Sequence, residues 1–136
     1  MDTFDVFNVN ASALIAQRQR MNAIASNVAN IHTTRTKEGG PYKRQDVVFE
    51  VLPIGKPDES VMGVQVAKIE QDQNPPMKVY SPNHPDADEQ GYISLPNVNV
   101  VEEMVNMMMA ARAYEANVSA FNISKGMFLK TLEIGR

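Results

Sequence analysis

Residues 97–136 read NVNVVEEMVNMMMAARAYEANVSAFNISKGMFLKTLEIGR, with no proline and with glycine only at Gly126 and Gly135. Proline and glycine are the residues that most often interrupt helices, so this stretch predicts one long helix. Within it Val100, Met104, Met107, Ala111, Tyr114, Val118, Phe121, Lys125, Phe128 and Leu132 recur at alternating spacings of four and three, and only Lys125 is charged. That period is a heptad-like apolar seam. Val101, Val105 and Met108 add a second apolar row where the helix begins. Asn97 or Asn99 is placed to cap it, and Glu102 and Glu103 fall in the first turn, at the positive end of the helix dipole. From Val98 to Ile134 such a helix is about 55 Å long at roughly 1.5 Å per residue. A compact globule of this chain length has a radius of gyration of roughly 14 Å, so the helix is longer than the globule is wide.

The other end of the chain repeats the style. Residues 1–36 lack both Pro and Gly, and Phe4, Phe7, Ala11, Leu14, Arg18, Met21, Ala25 and Val28 follow the same alternation. Arg18 is the exception to its apolarity, and its aliphatic stem is long enough to lie along the seam with the charge in water. Asp5, Ser12, Gln19, Arg20, Ser26 and Asn27 are expected on the opposite, polar face, where the small residues Val9, Ala16 and Ala23 also fall. Asn30, His32, Thr33 and Thr34 are weaker helix formers and are expected to end the helix. Residues 37–96 are different in kind: they hold all eight Pro and five of the seven Gly. Val47–Leu52, Val61–Ile69, Lys78–Tyr80 and Tyr92–Leu95 are the strand candidates there, separated by Pro-rich turns. The expected fold is α+β, with long N- and C-terminal helices pairing as an antiparallel coiled-coil-like unit and a small β-hairpin or β-sheet lobe between them. The expected divisions are 1–36 and 97–136 for the helical core and 37–96 for the outer lobe.

Paired helices of this length project beyond the lobe. Their Phe, Met, Val and Leu seams are unfavourable when left wet, by about 25 cal/mol per Å². The seams are therefore expected to be completed by other chains, in an assembly, the alternative being a single monomer with a helical core and a small hairpin lobe.

Composition narrows the function classes. The 136 residues carry a net charge of -3 and a pI of about 5.3, which argues against a dedicated nucleic-acid binder. With no Cys there is no disulfide, thiolate metal site or Cys nucleophile. The longest apolar run, Met107–Ala111, is far short of the roughly 20 residues of a membrane span, so no membrane insertion is expected. The opening Met1-Asp2-Thr3-Phe4-Asp5 has neither the basic region nor the apolar region of a cleaved secretion signal.

No catalytic or metal site emerges, and neither an enzyme nor a cofactor is expected. His32 and His84 have no second ligand at helical spacing. Asp86-Ala87-Asp88-Glu89-Gln90-Gly91 begins like a calcium loop, but Gln90 and Asn97 stand where ligands belong, so an acidic Asx-type turn leading into a strand is the better reading. Glu102 and Glu103 are neighbours that point to different helix faces and do not form an acid/base pair. Asp46 and Glu50 share a strand face and are expected at a solvated edge near Lys43 or Arg44. Met104, Met107, Met108 and Met109 form a flexible apolar surface suited to repacking against partners or to filling a core. An Asn beside a seam, of which this chain has several, can fix register and partner choice.

The segment Ala25-Ser26-Asn27-Val28-Ala29-Asn30-Ile31-His32-Thr33-Thr34 resembles the S-N-x-A-N-x-x-T segment of bacterial flagellar rod, hook and filament-junction proteins, with Ser26, Asn27, Ala29, Asn30 and Thr33 at the motif positions. The continuation Glu38 to Phe49, the stretches His84–Asp88 with Gly91-Tyr92 and Pro96–Met104, and Arg112-Ala113-Tyr114-Glu115-Ala116-Asn117 are similar to the proximal-rod FlgC family. The likeness runs from Asn8 to Leu132 in matching order. It implies a structural subunit of the flagellar basal-body rod, a drive shaft that crosses the periplasm. It further implies export through the flagellar type III apparatus without signal cleavage, and assembly through the terminal helices into a helical tube. The implied partners are other rod subunits, copies of the same chain and the adaptor at the rod base. The expected assembly interface is Phe4, Phe7, Leu14, Met21, Ala25 and Val28 on the first helix, and Met104, Met107, Ala111, Tyr114, Val118, Phe121, Phe128 and Leu132 on the second. The alternative from the residues alone is a cytoplasmic adaptor or chaperone-like binding protein that presents the Met-rich helical surface.

Overall fold

The computed structural model of the chain describes residues 3–55 and 61–135; Met1 and Asp2 of the N-terminal block lie outside them. In chain order the elements are helix α1 (Thr3–Ala29), strands β1 (Gln45–Pro53), β2 (Met62–Gln71), β3 (Met77–Tyr80) and β4 (Tyr92–Leu95), and helix α2 (Val100–Ile134). The α+β architecture is the one expected, and the strands fall within a few residues of their expected bounds. Asn99 is the N-cap of α2, its side-chain oxygen accepting from the Val101 N–H at 3.0 Å and the Glu102 N–H at 3.4 Å. At roughly 1.5 Å per residue α2 is about 52 Å long.

The helices pair antiparallel. Near the start of α1, Phe7 meets Phe121 and Phe128 near the end of α2, with ring centroids 5.3 and 6.2 Å apart, and Phe4 reaches Phe128 at 6.3 Å. Asn10 donates to Ser124 at 3.5 Å. At the other end Asn27 meets Glu103.

β1 and β2 form an antiparallel hairpin from Gln45 opposite Gln71 to Pro53 opposite Met62, with a register shift at Val48/Phe49. β3 and β4 form a second, from Met77 opposite Leu95 to Tyr80 opposite Tyr92. A two-stranded ribbon is marginal in water unless it packs on something. The first hairpin packs along α1. The Ser12 hydroxyl accepts from the Val64 N–H at 3.1 Å while donating to the Val9 carbonyl at 2.7 Å. Gly63 lies so close that a Cβ there would stand 2.7 Å from Ser12 Oγ and also meet the Ile54 side chain. In the second hairpin Gly91 has φ +84°, in the left-handed region, and a Cβ would press on the Tyr80 ring at 2.9 Å.

This docking corrects the expected faces of α1. Asp5, Ser12 and Asn27, placed by pattern on the polar face, are buried, and so are Ala16 and Ala23. The reason is that α1 is covered on two sides, by α2 and by the hairpin. Small side chains let a strand backbone approach, and Ser12 and Asn27 hydrogen-bond that backbone. A hydropathy stripe registers only large apolar residues and so cannot detect such a face.

The seam of α2 is also corrected by half. The row Met107, Tyr114, Phe121 and Phe128 is half-buried, as the heptad predicts. The companion row lies one residue earlier than expected. Glu103 and Ala110 are buried and Asn117 and Ser124 half-buried, whereas Met104, Val118, Lys125 and Leu132 are exposed. Small side chains bring the helix backbones together, and the bulkier row is left outside.

Candidate assembly surface and the polar knot beneath it

The motif segment is where α1 stops. The Asn30 N–H donates to the Ser26 carbonyl at 3.1 Å and the Asn30 side-chain amide to the same oxygen at 2.9 Å. The Thr33 N–H and hydroxyl both return to Asn30, at its carbonyl and its side-chain oxygen. The Tyr42 N–H then donates to the Thr33 carbonyl at 3.1 Å. Asn30 and Thr33 therefore satisfy the carbonyls of Ser26 and Asn30 that the helix end leaves open and turn the chain towards β1. Ala29 closes the helix and is exposed, as is Ala25.

Asn27 has another task. Its side chain is 0% exposed and uses all four hydrogen-bonding positions. Its amide donates to the Gln45 carbonyl at 2.8 Å and to Glu103 Oε2 at 2.9 Å. Its oxygen accepts from the Gln45 N–H at 2.8 Å and the Tyr42 hydroxyl at 3.0 Å. It thus pairs with the backbone of β1 as a neighbouring strand residue would. Glu103, also 0% exposed, completes the cluster by accepting from Arg44 Nε at 2.7 Å on its second oxygen. A buried carboxylate is tolerable only when paired and hydrogen-bonded, and here both oxygens are taken.

The knot joins α1, the start of β1 and α2. Burial, and then the Glu103 charge, raises the Tyr42 phenol above its ordinary value. Burial opposes the charge on Arg44, but the hydrogen bond and charge of Glu103, with Asp46 beside it, outweigh this and raise its pKa. Arg44 also reaches Asp46 at 3.4 Å. The expected contact of Arg44 with the exposed Asp46 is present, and Arg44, itself half-buried, also pairs with the buried Glu103. Glu103, expected in the first turn at the positive end of the helix dipole, is a core residue, which a carboxylate next to Glu102 does not signal by hydropathy. The one available hint was its place, with Tyr42 and Arg44, inside the family-like segments.

The acidic turn is read as expected. Asp88 accepts from the N–H groups of Gln90 and Tyr92 at 2.9 and 2.8 Å, and Asp86 accepts from the Thr34 hydroxyl at 2.8 Å. Among the described residues no group of three or more His, Cys, Asp or Glu could hold a metal ion, and no helix is long and apolar enough to cross a membrane.

Above the knot α2 is apolar away from α1 as well. Val101, Met104, Val105, Met108 and Met109 are all exposed, Met104 by 58% and Met108 by 65%. Further along, Ile123, Met127, Leu129 and Leu132 are exposed too. A helix that is apolar all round belongs in an interior. Of the expected interface residues, Phe7, Leu14, Met21, Met107, Ala111, Tyr114, Phe121 and Phe128 are half-buried, whereas Phe4, Ala25, Val28, Met104, Val118 and Leu132 are exposed.

Long paired end helices around a small β lobe, with the turn motif closing the first helix, are the features that the resemblance to flagellar axial proteins implies. Residues 7–37 match the family described as flagella basal body rod protein, and residues 89–134 the one described as flagellar basal body rod FlgEFG protein C-terminal. Flagellar basal-body rod protein FlgC of Escherichia coli O6:H1 is 45% identical, with each chain covered completely. FlgC of Borreliella burgdorferi is 44% identical with 98% of each chain covered, and FlgC of Bacillus subtilis 42% with both covered completely. The chain belongs to the FlgC family of flagellar basal-body rod proteins, a structural component of the basal body. These relatives support the rod reading over the cytoplasmic adaptor.

Proposed function

We propose that this chain is built into the rod through its two terminal helices, which join those of neighbouring subunits in a helical tube that transmits torque. The observation that carries this is the apolar, exposed outer face of α2. Contacts between unlike faces of successive subunits extend into a helix rather than closing into a dimer, and stiff helices about 40 to 52 Å long suit a shaft. In this reading 1–36 and 97–136 form the core layer and 37–96 the outer lobe. Met104, Val118, Leu132, Phe4 and Val28 meet neighbouring subunits, while Phe7, Leu14, Met21, Met107, Tyr114, Phe121 and Phe128 hold the pair together. Its neighbours are other rod proteins, copies of itself and the adaptor at the rod base. It reaches the periplasm through the flagellar type III export apparatus.

Met104→Asp and Val118→Asp test the surface in a motile bacterium. Each places a charge where a neighbour would bury it unpaired. The expected result is an unchanged circular dichroism spectrum for the isolated chain, absence from purified basal bodies, and loss of swimming. Normal incorporation of both variants would overturn the surface. Deletion of residues 1–20 is expected to stop export or assembly, read as the amount of chain in purified rods.

A further inference from the structure

We infer that the Asn27–Glu103–Arg44 knot sets the register of α1 against α2, a choice that the packing of the helix seam does not make. The α2 seam consists of two rows that repeat every seven residues. One is Glu103, Ala110, Asn117, Ser124 and Thr131; the other is Met107, Tyr114, Phe121 and Phe128. Sliding α2 by one heptad puts Asn117 or Thr131 where Ser124 faces Asn10. The first slip brings Tyr114 and Phe121 opposite Phe7, and the second brings Phe128 and puts Gly135 in the place of a ring. Asn117, Ser124 and Thr131 resemble each other even in their bonding, each side chain donating to the carbonyl four residues back at 2.9 Å. The slip that brings Tyr114, Asn117 and Phe121 into place therefore differs little in shape or polarity from the native pairing.

Glu103 breaks the repeat. It is the only charged member of either row, and its two oxygens are held by Asn27 on α1 and Arg44 at the head of β1. A slip of seven residues presents Ala110 or Pro96 to that site. Asn27 then loses a hydrogen-bond acceptor and Arg44 loses its buried counter-charge. A single buried polar residue is known to choose register in helix pairs whose apolar contacts do not. The register in turn decides which exposed residues of the two helices lie side by side on the outside. It is a property of the folded chain and does not depend on the surface proposed above.

The chain has no cysteine, so introduced pairs report register without background. Three versions of the full-length protein, Asn10→Cys with Ser124→Cys, with Asn117→Cys or with Thr131→Cys, are treated in dilute solution with a short bismaleimide. The intramolecular product is then quantified. In the parent background the 10–124 product is expected to exceed the other two by about tenfold or more, the preference a buried polar pair imposes. With Asn27→Leu and Glu103→Leu together, one slipped product is expected to rise to within about threefold of it, with the helical circular dichroism retained. An unchanged product ratio in a helical double variant overturns the inference. If the double variant loses its helices, Glu103→Gln is scored instead, since it keeps an acceptor for Asn27 and removes only the charge. A slipped product raised several-fold supports the knot as the register device, and an unchanged ratio overturns it.

Discussion

The two ends of the helix pair are held by different chemistry. At one end Asn27, Glu103, Arg44, Tyr42 and the Gln45 backbone form a closed set of directional bonds, with the Asn27 and Glu103 side chains out of water. At the other, Phe4, Phe7, Phe121 and Phe128 touch through their rings, and Phe4 remains 65% exposed. Directional bonds tolerate one geometry, so the knotted end is specified within the chain. Ring contacts tolerate small rotations, and they leave apolar area exposed at Phe4. One pair of helices can thus be rigid where it meets the β lobe and adaptable where it leaves it.

The largest break in this contrast is expected from Glu103→Ala. Removing Glu103 leaves Arg44 with only the exposed Asp46 and the buried Asn27 amide short of an acceptor, and should lower unfolding free energy by about 3 kcal/mol in urea titration. Phe121→Ala at the aromatic end should lower it by about 2 kcal/mol, less than the full core value because the ring is only half-buried. Tyr42→Phe should lower it by about 1 kcal/mol, the net worth of one hydrogen bond. Its effect on pH dependence is more diagnostic. With the phenol raised above 10.0 in the folded chain, the unfolded chain gives up this proton first. Stability is then level below about pH 10 and falls as pH rises beyond it, and Tyr42→Phe should remove that part of the fall. Phe4→Ala should change the isolated chain by less than about 0.5 kcal/mol, as exposed positions do. A loss at Phe4 as large as that at Glu103 would erase the distinction between the ends.

Much of this was legible in the residues. The segregation of Pro and Gly into 37–96 placed the elements. The heptad spacing of Met107, Tyr114, Phe121 and Phe128 found half of the α2 seam, and of the two cap candidates Asn97 and Asn99 the fold uses Asn99. The other half of the seam was not legible, because Glu103, Ala110, Asn117 and Ser124 carry little hydropathy, and neither was the hairpin-facing side of α1, where Asp5, Ser12, Ala16, Ala23 and Asn27 are buried.

By itself, then, the sequence determined what depends on local periodicity and on turn chemistry: two long helices, short strands, the turn after Asn30, and a surplus of large apolar residues on α2. Tertiary structure decided which faces those elements turn towards each other. That choice rests on close backbone approach and on pairing between residues distant along the chain. Asn27 is a polar residue on a helix until Gln45 and Glu103 stand beside it, and only then does burial become more favourable than water.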